Sequence, residues 1–124
     1  MKELLKKKAF LFDVEGVLTD NIDEGHGLSN TADFISLLKR HDKKIAIITN
    51  ISRKPRQIVY NKLLEMGLPI EENEVFTSGA TTALYIKDNF PNATCFVISE
   101  WGLKKDIEDA GIKELNKESD EKLK

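Results

Sequence analysis

Phe10-Leu11-Phe12-Asp13-Val14-Glu15-Gly16-Val17-Leu18-Thr19-Asp20 is an apolar run that breaks into two carboxylates one residue apart and then a glycine. The apolar start reads as a strand of a parallel sheet, because strands covered on both faces are continuously hydrophobic rather than alternating. In such a sheet, loops and helix N-termini converge at the carboxyl ends of the strands, which puts Asp13 on the functional edge. Gly16 lets the chain turn sharply and brings backbone N–H groups close to an anion.

Three further apolar runs lie downstream: Ile45-Ala46-Ile47-Ile48, Val75-Phe76 and Cys95-Phe96-Val97-Ile98. They alternate with stretches of helical periodicity, which predicts a three-layer, Rossmann-like α/β fold with a mainly parallel sheet flanked by helices. Val75-Phe76 is the weakest run and is placed near an edge. Asn30 or Thr31 caps a first helix whose apolar face is Phe34, Leu37 and Leu38. Residues 52–55 open a second, with Ile58, Val59, Leu63 and Met66 as its stripe and Gly67 as its stop. A third spans residues 79–89 and a fourth residues 103–110, ended by Pro91 and Gly111. Residues 1–115 form this core. Residues 116–124, nearly all polar or charged, read as a frayed or solvated tail.

Composition narrows the function classes. The 124 residues carry 19 Lys+Arg against 21 Asp+Glu, a net charge of −2. A chain of this length supports one core. Its near-balance of charge supplies no long-range field for a nucleic-acid backbone or an anionic membrane, so any phosphate recognition is local. The lone Cys95 sits inside an apolar run, which excludes a disulfide framework and a zinc cluster and fits a reducing compartment, the cytoplasm. The basic N-terminus is followed by only four apolar residues before Asp13, too few for a signal peptide or a membrane span.

A second strand end, Ile47-Ile48-Thr49-Asn50, again finishes in small polar groups just before a helix. The Thr49 hydroxyl and the amides at the coming helix start are phosphate donors. If the two strands are neighbours, a carboxylate nucleophile faces phosphate donors, the arrangement for phosphoryl transfer through an aspartyl-phosphate. Arg53, Lys54 and Arg56 cluster at that helix start and read as a solvated surface with an anion-attracting role as the sharper option. His26, at a loop tip, reads as exposed, His41 as a helix-end cation, and Trp101 as an anchor at the core margin.

These motifs together resemble the haloacid-dehalogenase-like phosphatase superfamily, whose first motif is an apolar strand ending Asp-x-Asp-Gly and whose second ends in Thr or Ser. Lys62-Leu63-Leu64-Glu65-Met66-Gly67, Val75-Phe76-Thr77-Ser78-Gly79, Ala83-Leu84-Tyr85 and Val97-Ile98-Ser99-Glu100-Trp101-Gly102-Leu103 are similar, in order, to the NagD or p-nitrophenyl-phosphatase branch. The resemblance covers residues 9–113. It implies that Asp13 is the nucleophile and a Mg²⁺ ligand, and that Glu15 is the general acid/base and a ligand through its main-chain carbonyl. It likewise implies that Thr49 and Asn50, with Gly16, bind the phosphate of a phosphorylated small molecule.

Three departures accompany the likeness. Glu15 stands where the family usually has Asp, and Ile51 where the branch has a polar residue. The family's lysine and final acidic motif, which follow a cap domain, do not occur before Lys124. Glu100 and Asp106 match that acidic motif only in outline and read as structural, and Lys104 and Lys105 read as solvated helix residues. The expectation is therefore a Mg²⁺-dependent phosphatase with weak catalysis or none. The alternative is a non-catalytic binding or assembly module that forms a homo-oligomer through an exposed sheet edge. The first motif also resembles the cap-less octulosonate-phosphate phosphatases, in which neighbouring subunits cover the site.

Overall fold

The computed structural model describes residues 2–117. Along the chain the elements are α1 (Lys2–Leu5), β1 (Ala9–Phe12), α2 (Thr31–Arg40), β2 (Lys44–Thr49), α3 (Arg56–Glu65), a 3₁₀ turn (Glu72–Glu74), β3 (Val75–Thr77), α4 (Ser78–Asn89), β4 (Thr94–Cys95), α5 (Trp101–Asp109) and β5 (Lys113–Glu114). The fold is α/β with parallel strands and flanking helices, as expected. The chain divides into two compact units, one made of Met1–Thr49 and Gln57–Phe76, the other of Asn50–Arg56 and Thr77–Lys124.

The first unit is built on a sheet of order β1-β2-β3. β1 and β2 run parallel, with Phe10 opposite Ile45 and Phe12 opposite Ile47. Ile45, Ile47 and Thr49 are buried on one face, which α2 covers; Phe12 meets Phe34 edge-on there, ring centroids 6.2 Å apart. The other face is open. Leu11 is 69% exposed, Ile48 46% and Phe76 47%. The continuous hydrophobicity of these runs predicted cover on both faces, and among the described residues only one is covered.

The helices of this unit correct the sequence reading in detail. In α2 the fully buried residues are Ile35 and Leu38, whereas Phe34 and Leu37 remain partly exposed. Asn30 precedes the helix with φ 67° and makes no side-chain capping bond. An N-cap needs an extended backbone to aim its side chain at the first turn, and the left-handed conformation forbids it. The Thr31 hydroxyl turns back to donate to the Leu28 carbonyl oxygen at 2.8 Å. α3 buries Val59 and Leu63 and stops as expected. Gly67 has φ 82°, its N–H donates to the Leu64 carbonyl at 2.8 Å, and the Leu68 N–H donates to the Leu63 carbonyl at 3.2 Å. That pair of bonds is a Schellman motif, which glycine enters without a side-chain clash.

The second unit packs α4 against α5 around Ala83, Val97 and Ile107, with Ile86, Cys95 and Leu103 at the margin. Thr77 caps α4, its Oγ1 accepting the Ala80 N–H at 3.3 Å. The fourth apolar run is strand only in part: β4 is Thr94–Cys95, and it pairs in parallel with β5 rather than joining the larger sheet. Phe96 is 68% and Ile98 90% exposed, so this run is not covered on both faces either. Trp101 opens α5 at 56% exposure instead of anchoring a core margin. Asn116, expected to begin the solvated tail, is buried and bonded to Val97. Residues 118–124 of that tail lie outside the described residues.

Candidate functional site

The last β1–β2 pair is Phe12 with Ile47, so Asp13 and Thr49 leave adjoining parallel strands at the same end of the sheet. Asp13 is exposed, and its Oδ1 accepts the Val14 N–H at 2.8 Å. Beyond it the chain dives inward. Val14, Leu18 and Ile22 are fully buried and fix a compact loop to the unit's core. The Val14 carbonyl accepts the Leu18 and Thr19 N–H groups at 2.9 and 3.1 Å, and the buried Thr19 hydroxyl donates to the His26 carbonyl oxygen at 2.5 Å. Leu28 closes the return with an N–H bond to the Leu18 carbonyl at 2.8 Å.

Glu15 and Gly16 sit in the first turn of this loop. Glu15 is half-buried and bridges to Thr19. Gly16 has φ 85°, a conformation that costs any other residue strain. Its N–H donates to the Thr19 carbonyl oxygen at 2.7 Å, so Gly16's own amide closes the turn. The His26 side chain is exposed, in agreement with the loop-tip reading.

Thr49 is buried at 4% exposure. Asn50 begins the second unit, where its carbonyl accepts the Ser78 hydroxyl at 3.0 Å. The structure thus gathers Asp13, Glu15 and Gly16 in one turn and brings Thr49 to the same sheet end, and it assigns Asn50 to the other unit. Glu100 and Asp106 do not form an acidic pair. Glu100 is exposed ahead of α5 without a side-chain capping bond, whereas Asp106 is buried within α5. Lys105 pairs with Asp109 on the exposed side of α5, as a solvated helix residue does, whereas Lys104 is mostly buried and pairs with Glu114 at 3.3 Å, which corrects its solvated reading. Among the described residues, no three acidic, histidine or cysteine side chains gather as a metal cluster.

The contacts of two residues with the loop before α3 escaped the sequence reading. The Asp106 Oδ1 accepts the Arg56 N–H at 3.0 Å, and its Oδ2 is buried without a hydrogen-bond partner. Burial pushes the Asp106 carboxyl above the usual aspartate range, against the pull of the Arg56 N–H. Gly102 lies so close to the loop before α3 that a Cβ there would sit 2.5 Å from the Ser52 carbonyl oxygen and collide with the Arg53 and Lys54 backbone. The legible signal was their spacing: four residues apart in a helix places both on one face.

Residues 10–113 match the model of the haloacid dehalogenase-like hydrolases. The chain belongs to this family. Its relatives in the family include an acid sugar phosphatase of Staphylococcus epidermidis, 36% identical over 111 residues, a match spanning 90% of this chain and 42% of the relative. A 4-nitrophenylphosphatase of Schizosaccharomyces pombe is 30% identical over 115 residues, 90% of this chain and 38% of the relative. Among solved structures, the p-nitrophenyl phosphatase from Archaeoglobus fulgidus superposes with a TM-score of 0.80 at 28% identity, over 88% of this chain and 41% of that one. The expected NagD and p-nitrophenyl-phosphatase branch is borne out by these likenesses. This family member spans about two-fifths of the length of these relatives. No helix among its described residues is long and apolar enough to cross a membrane.

Proposed function

We propose that the tip of β1 is the reacting end of a Mg²⁺-dependent phosphate monoester hydrolase that works through an aspartyl-phosphate on Asp13. The observation that supports this most is the exit of Asp13 and Thr49 from adjoining parallel strands at one sheet end. An Asp13 carboxylate oxygen attacks phosphorus, the bond from phosphorus to the leaving oxygen breaks, and Glu15 gives that oxygen its proton. Glu15 then takes a proton from the water that attacks the phosphorus, releasing phosphate and restoring the Asp13 carboxylate. Thr49, with Asn50 next to it in sequence, holds the phosphate, and Gly16 shapes the turn that carries Glu15.

The oxygen donors of Asp13 and Glu15 suit Mg²⁺, for which one or two carboxylates suffice when water and substrate oxygens complete the shell. When bound, Mg²⁺ supplies the positive charge that offsets repulsion between two carboxylates and a phosphate dianion. The substrate class is a phosphorylated small molecule, and the compartment is the cytoplasm.

Hydrolysis of p-nitrophenyl phosphate in MgCl₂ tests the reading. Wild type turns over and gains melting temperature with Mg²⁺, and Asp13→Asn loses both. Equal melting with and without Mg²⁺, together with no turnover by wild type, overturns it.

A second reading, an assembly module without catalysis, is supported by the open sheet face of Leu11, Ile48 and Phe76 beside the outer edge of β1. Its occupant is a second copy of this chain. Antiparallel pairing of two β1 strands about Leu11 keeps the exposed apolar face continuous across a two-fold axis, because residues opposite one another share a face. Sedimentation equilibrium decides it: a dimer that Leu11→Lys dissociates supports the module, and a monomer at all concentrations removes it.

A further inference from the structure

We propose that Asp106 and Gly102, one turn apart on α5, are positioning residues that set the backbone of loop 50–56 for phosphate binding at Asn50. The proposal rests on the phosphatase reading above.

Residues 50–55 contain no helix or strand. The loop is instead gripped from outside at three points within its own unit. At its start the Ser78 hydroxyl donates to the Asn50 carbonyl oxygen at 3.0 Å. In the middle, Gly102 lets the Ser52, Arg53 and Lys54 backbone approach closer than any side chain would allow. At its end Asp106 Oδ1 accepts the Arg56 N–H at 3.0 Å. Ile51 and Pro55 lie buried between these points.

Asp106 is a costly way to hold one N–H. The residue is 6% exposed, and its second oxygen lies buried and unpartnered, where a Cβ on Gly79 would approach to 2.5 Å. Buried carboxylate oxygens without partners are rare, and a cap facing water would satisfy the same donor more cheaply. What the arrangement adds is a fixed point: α5, packed on α4, transmits its own rigidity to the loop end. Oδ1 is the working atom, so an amide oxygen in its place serves the same purpose.

The test titrates the full chain with inorganic phosphate in Mg²⁺, reading amide shifts and hydrogen exchange of residues 50–56. Asp106→Leu weakens phosphate binding about 10-fold and exposes the Arg56 amide to exchange. Asp106→Asn, which keeps an acceptor at the same place, recovers most of both losses. Gly102→Ala weakens phosphate binding similarly and shifts the loop amides while those of α4 stay in place, and it carries the test if Asp106→Leu does not fold. Unchanged phosphate affinity in Gly102→Ala, or an Arg56 amide equally protected in Asp106→Leu and wild type, overturns the proposal. A wild-type chain that ignores phosphate sinks the phosphatase reading alone, because the Arg56 amide in Asp106→Leu against Asp106→Asn still decides the clamp.

Discussion

Asn116 holds both sides of one peptide strand: its Oδ1 accepts the Val97 N–H at 2.9 Å and its Nδ2 donates to the Val97 carbonyl oxygen at 2.8 Å. Both bonds are buried, and Val97 belongs to the core of the second unit. The side-chain amide thereby replaces a neighbouring strand just beyond the end of β4. Asn116→Leu strips both partners from buried backbone groups and is expected to lower stability by about 2–4 kcal/mol, at roughly 1–2 kcal/mol per orphaned group. Urea unfolding measures it, and a loss below about 0.5 kcal/mol contradicts the assignment.

Asp106 makes stability depend on pH in the direction opposite to a salt-bridged aspartate. Its folded-state pKa is raised, mainly by burial, with Asp109 adding to the rise while the Arg56 N–H, the Arg56 charge and Lys105 oppose it. The folded state therefore holds the Asp106 proton more tightly than the unfolded state. This contribution is fully present below the ordinary aspartate range and is lost as pH rises from there through the raised pKa. Melting curves in that window should show a falling slope for wild type that Asp106→Asn removes. A slope identical in both proteins would mean that Asp106 does not titrate there.

Gly16 and Gly102 predict two kinds of glycine defect. At Gly16 a Cβ meets nothing within 4 Å, so the cost of Gly16→Ala is backbone strain alone at φ 85°, about 1–2 kcal/mol. At Gly102 the backbone is unstrained and the added methyl collides with the Ser52–Lys54 chain instead. Gly102→Ala should therefore move the amide spectrum of residues 50–56, and Gly16→Ala should leave it in place while lowering the melting temperature. Matching spectral changes in the two variants would refute the distinction.

Thr49→Val removes a buried hydroxyl at nearly constant volume and, on the phosphatase reading, lowers kcat/KM for p-nitrophenyl phosphate about 10–100-fold. Loss of one preorganised donor typically costs about 10²–10³ in rate, less where neighbouring donors share the charge. Wild-type kcat/KM in Thr49→Val would exclude it as a phosphate donor.

What could be read from the residues alone divides along a physical line. The strand character of β1 and β2, the end of α3 and the strand-tip position of Asp13 are local signals: an apolar run, a glycine in the left-handed region, a carboxylate after a strand. Gly67 announces its Schellman motif because its conformational freedom belongs to the residue itself. Asn116 does not, because an asparagine amide in a charged stretch gains its meaning from Val97, 19 residues away in sequence. Asp106 reads as structural, but which backbone group it holds is hidden for the same reason, since its burial depends on Gly79 and the loop before α3. The exposed Phe96 and Ile98 show the converse limit, in which apolar sequence predicts a covered strand and the tertiary structure leaves it open.

The loop 50–56 lies early in the chain, yet Ser78, Gly102 and Asp106, which grip it, come later. During synthesis the ribosome delivers β1 and β2 well before it delivers the anchors, so the stretch after Thr49 emerges without the three contacts that hold it in the folded chain. A translational pause or a premature stop ahead of Gly102 would release strands whose connecting segment lacks both of its α5 anchors.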